Sequence, residues 1–150
     1  MVAALGTVRS APTEAVDDDW GDVTSTIELD PGQLDATATD GLEAFSHIEV
    51  VYRFHRVAEG RQQTGARHPR NNLDWPRVGI LAQRAKARPN LIGLTTCELV
   101  AVDGLTLTVR GLDAIDGTPV LDIKPYLVEF SPRGPVRQPP WSHELMDRYW

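Results

Sequence analysis

The chain holds a single cysteine, Cys97, among its 150 residues, so it can form no internal disulfide. That cysteine sits in the apolar stretch Leu94–Val100, where a small buried residue is the expected role rather than a reactive thiol. No stretch approaches the ~20 apolar residues of a membrane-spanning helix, and the opening Met1–Arg9 lacks the basic start and long apolar run of a secretion signal. A cytoplasmic location is therefore expected. His47 and His55 are eight residues apart with no cysteine nearby, which is not zinc-ligand spacing, and no metal site is expected. No strand-glycine-helix unit suggests a dinucleotide fold, and no local serine-nucleophile signature is present. Repeats and low-complexity tracts are missing too.

Hydrophobic residues at 41% and charged residues at 24% match an ordinary globular domain, and the length suits one core. The net charge of −6 conceals a segregation along the chain. Between Arg53 and Arg88, nine basic residues (Arg53, Arg56, Arg61, Arg67, Arg70, Arg77, Arg84, Lys86, Arg88) face only Glu59 and Asp74. Residues 1–49 carry eleven acids against Arg9 alone. Two readings follow: a basic face that meets nucleic-acid phosphates, or arginines that pair with the acidic half or with a second subunit.

Val2–Val8 and the alternating Val23–Leu29 read as strands separated by an acidic loop at Asp17-Asp18-Asp19. Leu34, Ala38, Leu42 and Phe45 recur at helical spacing and predict one short helix. Ile48–Phe54 reads as a strand, and residues 56–76 as a long basic loop without periodicity. Val78–Ala82 opens the second half. Leu94–Val102 and Leu105–Val109 form a predicted hairpin whose Asp103-Gly104 suits a type I′ turn. Asp116-Gly117 signals another turn, leading into the strand Val120–Ile123. Beyond residue 130 a proline-rich tail leads to a short helix over Trp141–Trp150, with Trp141, Leu145 and Tyr149 on one face able to dock it. The expected fold is mostly β, a small barrel-like single domain over residues 1–130 with one or two short helices, followed by the tail at 131–150.

Three segments combine glycine, proline and charge in an order that propensity alone does not require. They are Gly41-Leu42-Glu43-Ala44-Phe45-Ser46-His47-Ile48, the stretch Gly79–Thr95 containing Arg88-Pro89-Asn90-Leu91-Ile92-Gly93-Leu94, and Gly111–Leu127 containing Asp116-Gly117-Thr118-Pro119 and Asp122-Ile123-Lys124-Pro125-Tyr126. Together they resemble the TrmO/TsaA-like (YaeB-like) family of S-adenosylmethionine (SAM)-dependent tRNA adenosine-N6 methyltransferases. Ala85-Lys86 stands where the family has Ser-Pro, and Leu91 where it has proline.

The resemblance implies a small SAM-binding β-barrel that works as a homodimer. It implies cofactor contacts from Arg84, Arg88, Asn90, Ile92, Gly93, Leu94, Asp116, Gly117, Thr118 and Lys124. Chemically the set is suitable: a guanidinium or free N–H groups for a carboxylate, Asp or Asn for a ribose, apolar walls for adenine. His47, Asp122 and Tyr126 are the candidate proton acceptors for transfer to an exocyclic nitrogen. The acceptor implied is threonylcarbamoyladenosine beside the tRNA anticodon, with tRNA phosphates meeting the basic loop Arg53–Arg77. A methyltransferase of a small molecule, a non-catalytic SAM- or nucleotide-binding module and a simple RNA-binding protein are the alternatives.

Overall fold

The computed structural model describes all residues, Met1–Trp150. Its strands are β1 (Gly6–Arg9), β2 (Thr24–Leu29), β3 (His47–Arg53), β4 (Ala66–Arg67), β5 (Val78–Gly79), β6 (Ile92–Asp103), β7 (Thr106–Arg110) and β8 (Pro119–Pro125), followed by one helix, α1 (Pro140–Met146). Six strands close into a barrel in the order β1-β2-β7-β6-β3-β8, and β4 and β5 form a separate ribbon. Every barrel pairing is antiparallel.

Period-2 alternation builds this ring. Ile48, Val50 and Tyr52 of β3 point inward, and so do Ile27 and Leu29, Leu107 and Val109, Val8 and Val120. Leu112 and Ala114 complete one continuous core from the segment between β7 and β8. Register irregularities between Val51 and Tyr52, and between Leu99 and Ala101, bend the long strands so that the sheet can close.

Several local expectations are corrected. The helix over residues 34–45 does not form; one 3-10 turn, Leu42–Ala44, is all that is helical. Asp35 accepts hydrogen bonds from the Thr37 backbone N–H (2.9 Å) and from its hydroxyl (2.6 Å), an Asx-type turn that competes with helix. Gly41 then takes a left-handed φ of 85°. The apolar positions Leu34 and Leu42 still pack on the core, which is why their spacing looked helical. The first strand begins at Gly6, with Met1–Ala4 exposed. In the β6–β7 hairpin Asp103 pairs with Thr106, leaving Gly104-Leu105 as the loop. Only Gly104 has positive φ (57°), so the type I′ turn, which needs it at both central positions, is not made. The basic stretch is largely irregular but contains β4 and a 3-10 turn at Pro69–Asn71.

Cys97 lies in the barrel core, 3% exposed, and burial with the nearby Asp113 charge pushes its thiol up to about 12. The folded value is above the unfolded one, so this contribution is complete below the ordinary thiol pKa of 9.0 and is lost as pH climbs from 9 toward 12. Urea midpoints are expected to fall over that interval, beginning at pH 9, and Cys97→Ala is expected to delay the fall until the tyrosines titrate. Identical curves for both proteins between pH 9 and 10 would contradict this. At neutral pH a thiol reagent should modify Cys97 only after denaturant is added.

Candidate cofactor cavity

The chain from Ile80 to Leu91 is held in shape by its own polar groups. Ile80–Ala82 makes a single 3-10 turn. The Gln83 side chain, buried, donates to the Arg67 carbonyl (3.0 Å) and the Val78 carbonyl (2.9 Å). Arg88 Nη1 donates to the Gln83 carbonyl at 2.7 Å, and Arg84 Nη2 to the Leu94 carbonyl at 2.5 Å. Leu91 adopts φ 56°, a costly conformation for a leucine, yet its side chain is 5% exposed, so burial offsets the backbone cost. Its carbonyl accepts from Phe54 N–H at 2.8 Å and fixes where β6 begins. Arg70 (φ 51°) and Asn71 (φ 56°) are likewise left-handed, and both border the same space. Strain of this kind concentrates where a shape is required for binding.

That space is a cavity of about 930 Å³. Its walls come from the end of β3 and the residues after it (Tyr52, Phe54, His55), the Gln83–Arg88 loop, the start of β6, and the Asp113–Ile115 stretch. Six cations line it: Arg56, Arg67, Arg70, Arg84, Lys86 and Arg88. Arg67 Nε is buried there without any partner. Asp17 and Asp113 are its acidic lining.

Asp113 is the hub of a hydroxyl network. Its Oδ1 accepts from Tyr52 Oη (3.1 Å) and from Thr95 Oγ1, and its Oδ2 accepts from Tyr149 Oη. Burial, reinforced by the Asp113 charge, raises both tyrosine pKa values well above the ordinary range, so both hydroxyls stay protonated donors. His55 is shifted down by burial and by Arg56, which favours the neutral ring.

The residues singled out from sequence fall into three groups. Arg84, Arg88, Ile92, Gly93, Leu94 and Thr118 line the cavity. Gly117 and Asp116 form the adjacent turn, and Gly117 (φ 85°) backs onto His55, with Asn90 exposed at the foot of the loop. His47, Asp122, Lys124 and Tyr126 lie instead along the β3–β8 side, outside the cavity lining. There Lys124 pairs with Asp122 at 3.3 Å, and Tyr126 N–H donates to the His47 carbonyl at 3.0 Å. Part of the basic loop is consumed internally: Arg70 grips Asp18 (3.0 Å) and the Asp17 carbonyl, and Arg56 bonds the Thr13 carbonyl. Arg53, Arg61 and Arg77 remain exposed.

Tyr52, Thr95, Asp113 and Tyr149 escaped the sequence reading. Asp113 stood in the third motif, two residues after Gly111, but nothing local marked it as the meeting point of three distant hydroxyls. Tyr149 was visible only as one member of a docking stripe.

Known proteins resemble this chain over most of its length. The model of the tRNA-methyltransferase O N-terminal domain matches residues 9–131. The tRNA (adenine(37)-N6)-methyltransferase of Escherichia coli (strain K12) is 45% identical over 96 residues, covering 61% of this chain and 40% of that protein. The chain thus spans well under two thirds of that relative's length. A probable S-adenosyl-L-methionine-binding protein of Methanothermobacter thermautotrophicus is 44% identical over 110 residues, covering 73% of this chain and 74% of that one. The crystal structure of TrmO from Pseudomonas aeruginosa superposes with a TM-score of 0.72 at 30% identity, over 91% of this chain and 60% of its own. With the match extending from β1 to the residues after β8, the chain belongs to the tRNA-methyltransferase O N-terminal domain family.

Proposed function

We propose that this protein is a SAM-dependent methyltransferase acting on a modified adenosine of tRNA, by N6-methylation of threonylcarbamoyladenosine next to the anticodon. The observation that carries the reading is the cation-lined, aromatic-walled cavity built from the Gln83–Thr96 and Asp113–Thr118 segments, two of the three segments that resemble the family. Its volume lies within the range of pockets that enclose a small ligand. The residues fit SAM. The unpartnered Arg67 Nε and the exposed Arg84 suit a carboxylate, Asp113 suits ribose hydroxyls, and Phe54 and Trp20 supply apolar walls.

SAM brings a methyl group already activated on a sulfonium, so the protein's work is to align acceptor and donor and to exclude water. The constrained loop around Leu91 and the fixed hydroxyls on Asp113 provide that alignment. His47, Asp122 and Tyr126 lie outside the cavity of their own protomer. A proton-accepting role for them therefore requires the cavity of a partner in the homodimer implied by the resemblance. The reading places the enzyme in the cytoplasm, and no helix is long and apolar enough to cross a membrane.

The tRNA would be met by the exposed arginines of the Arg53–Arg77 loop together with Lys86. Methyl transfer from labelled SAM to bulk tRNA, followed across a salt series, tests this. Each phosphate neutralised contributes a slope of about −0.7 to −0.9 in log affinity against log salt, so four contacts give a slope near −3. Arg53, Arg61 and Arg77, the exposed arginines of that stretch, changed together to alanine should flatten it. A small-molecule methyltransferase would show neither effect, and no label entering tRNA would discard the RNA acceptor. Absence of any SAM or S-adenosylhomocysteine binding would discard the enzyme itself.

A further inference from the structure

A fifth wall of the cavity comes from residues far from the family motifs. Trp141, Leu145, Met146, Tyr149 and Trp150 all line it. Pro139 and Pro140 start α1, where a proline costs nothing at the first helical position. The segment then runs across the opening and is fastened on both rims and to the floor. On the acidic rim, Asp19 N–H donates to the Arg148 carbonyl (2.9 Å) and Trp20 N–H to the Tyr149 carbonyl (2.8 Å). On the basic-loop rim, Trp75 Nε1 donates to Glu144 Oε2 at 2.7 Å. On the floor, Tyr149 Oη reaches Asp113. Gly21 lets the backbones approach: a Cβ there would fall 2.8 Å from the Trp150 carbonyl group. The cavity persists with this segment in place, so the segment encloses the space rather than filling it.

We propose that residues 139–150 are a fastened wall of the cofactor cavity, and that Tyr149 is a positioning residue whose hydroxyl, held by Asp113, keeps the wall closed over bound ligand. This rests on the reading of the cavity as the cofactor site. The wall contributes no strand to the barrel and no residue to its hydrophobic core, so it is the part of the enclosure that can open for entry and exit. Ligand release is then controlled by undoing the Tyr149 bond.

All four tryptophans, Trp20, Trp75, Trp141 and Trp150, belong to the wall or to the rims it grips, so intrinsic fluorescence reports its state. S-adenosylhomocysteine is titrated into the wild type, into Tyr149→Phe and into a chain lacking residues 139–150, by calorimetry, with release followed by stopped-flow fluorescence. Tyr149→Phe should release the ligand roughly tenfold faster with an association rate nearly unchanged, the pattern expected when one charge-assisted hydrogen bond that slows exit is lost. The shortened chain should weaken binding by about a hundredfold or more and lose most of the fluorescence change. A purely structural role for Tyr149 would lower thermal stability and leave the release rate alone, which would overturn the proposal. Equal or tighter binding by the shortened chain would also overturn it, by making the segment a plug. Should the shortened chain not fold, the release rate of Tyr149→Phe decides. No binding by the wild type removes the cofactor reading and the wall with it, whereas binding that all variants share removes the wall alone.

Discussion

Replacing Gly93 by alanine is expected to destabilise the barrel by about 3 kcal/mol, at the upper end of what overpacking a core usually costs. Gly93 pairs across the sheet with Tyr52, and the missing side chain is what lets the Tyr52 ring lie flat on β6. A Cβ at that position would sit 2.5 Å from Tyr52 Cζ and 2.6 Å from Cε2, with Phe54 Cζ at 3.0 Å. The ring cannot simply swing away, because it is 2% exposed, stacks edge-to-face on Phe54 at 5.4 Å and donates its hydroxyl to Asp113. In a Tyr52→Leu background the same Gly93→Ala change should cost under about 1 kcal/mol, so the pair is strongly non-additive. Urea midpoints for the four proteins check this. A Gly93→Ala protein as stable as the wild type would show that the glycine answers to something other than the ring. The resemblance implies a cofactor contact for Gly93, and the position also makes room for Tyr52.

Asp113→Ala is expected to be the most damaging single change at the cavity. It removes the carboxylate acceptor of three hydroxyls; Tyr52 keeps the backbone carbonyl of residue 113 at 3.3 Å, while Thr95 and Tyr149 lose their acceptor, and each buried donor so left costs about 1–3 kcal/mol. With Tyr149 partly able to reach water, a total of about 4 kcal/mol is expected, together with release of the α1 segment. Asp113→Asn keeps an acceptor oxygen for Tyr52 and Thr95, and the Tyr149 hydroxyl can turn to accept from the new amide. It should cost less than about 1.5 kcal/mol. The two variants are also told apart by titration. The Asp113 charge helps raise both tyrosines, so in Asp113→Asn their ionisation should begin at lower pH than in the wild type. Denaturation curves and ultraviolet titration of tyrosinate measure the two effects. An alanine variant within 0.5 kcal/mol of the wild type on the order of error of such curves would mean that the network is ornamental.

Much of the ring was legible because its strands alternate. Ile48, Val50 and Tyr52, or Leu107 and Val109, announce an inward face through spacing alone. The segment 34–45 misled because apolar spacing records only which residues face the core. Leu34 and Leu42 do face it, but an Asp35–Thr37 turn and Gly41 put them there without a helix. The cavity was half legible. Its loop residues Arg84, Arg88 and Leu94 lie in a segment with unusual composition. Asp113, Tyr52 and Tyr149 meet only through barrel closure and tail docking, and no local pattern encodes contacts between residues so far apart. Charge segregation was visible, yet which arginines are spent internally was not: Arg70 on Asp18 is a product of the fold.

Closure of the ring through β1 and β8 also sets the order of events as the chain is made. Gly6 faces Val120 and Thr7 faces Pro119, so the first strand cannot acquire its second neighbour until almost the whole domain has been synthesised. Until then β1 presents an open edge, and the β6–β7 hairpin, whose partners are adjacent in sequence, is the natural early structure. Pairings between distant segments are entropically slow to find, which makes the final seam the late step of folding and the nascent chain most exposed to misassociation just before it forms.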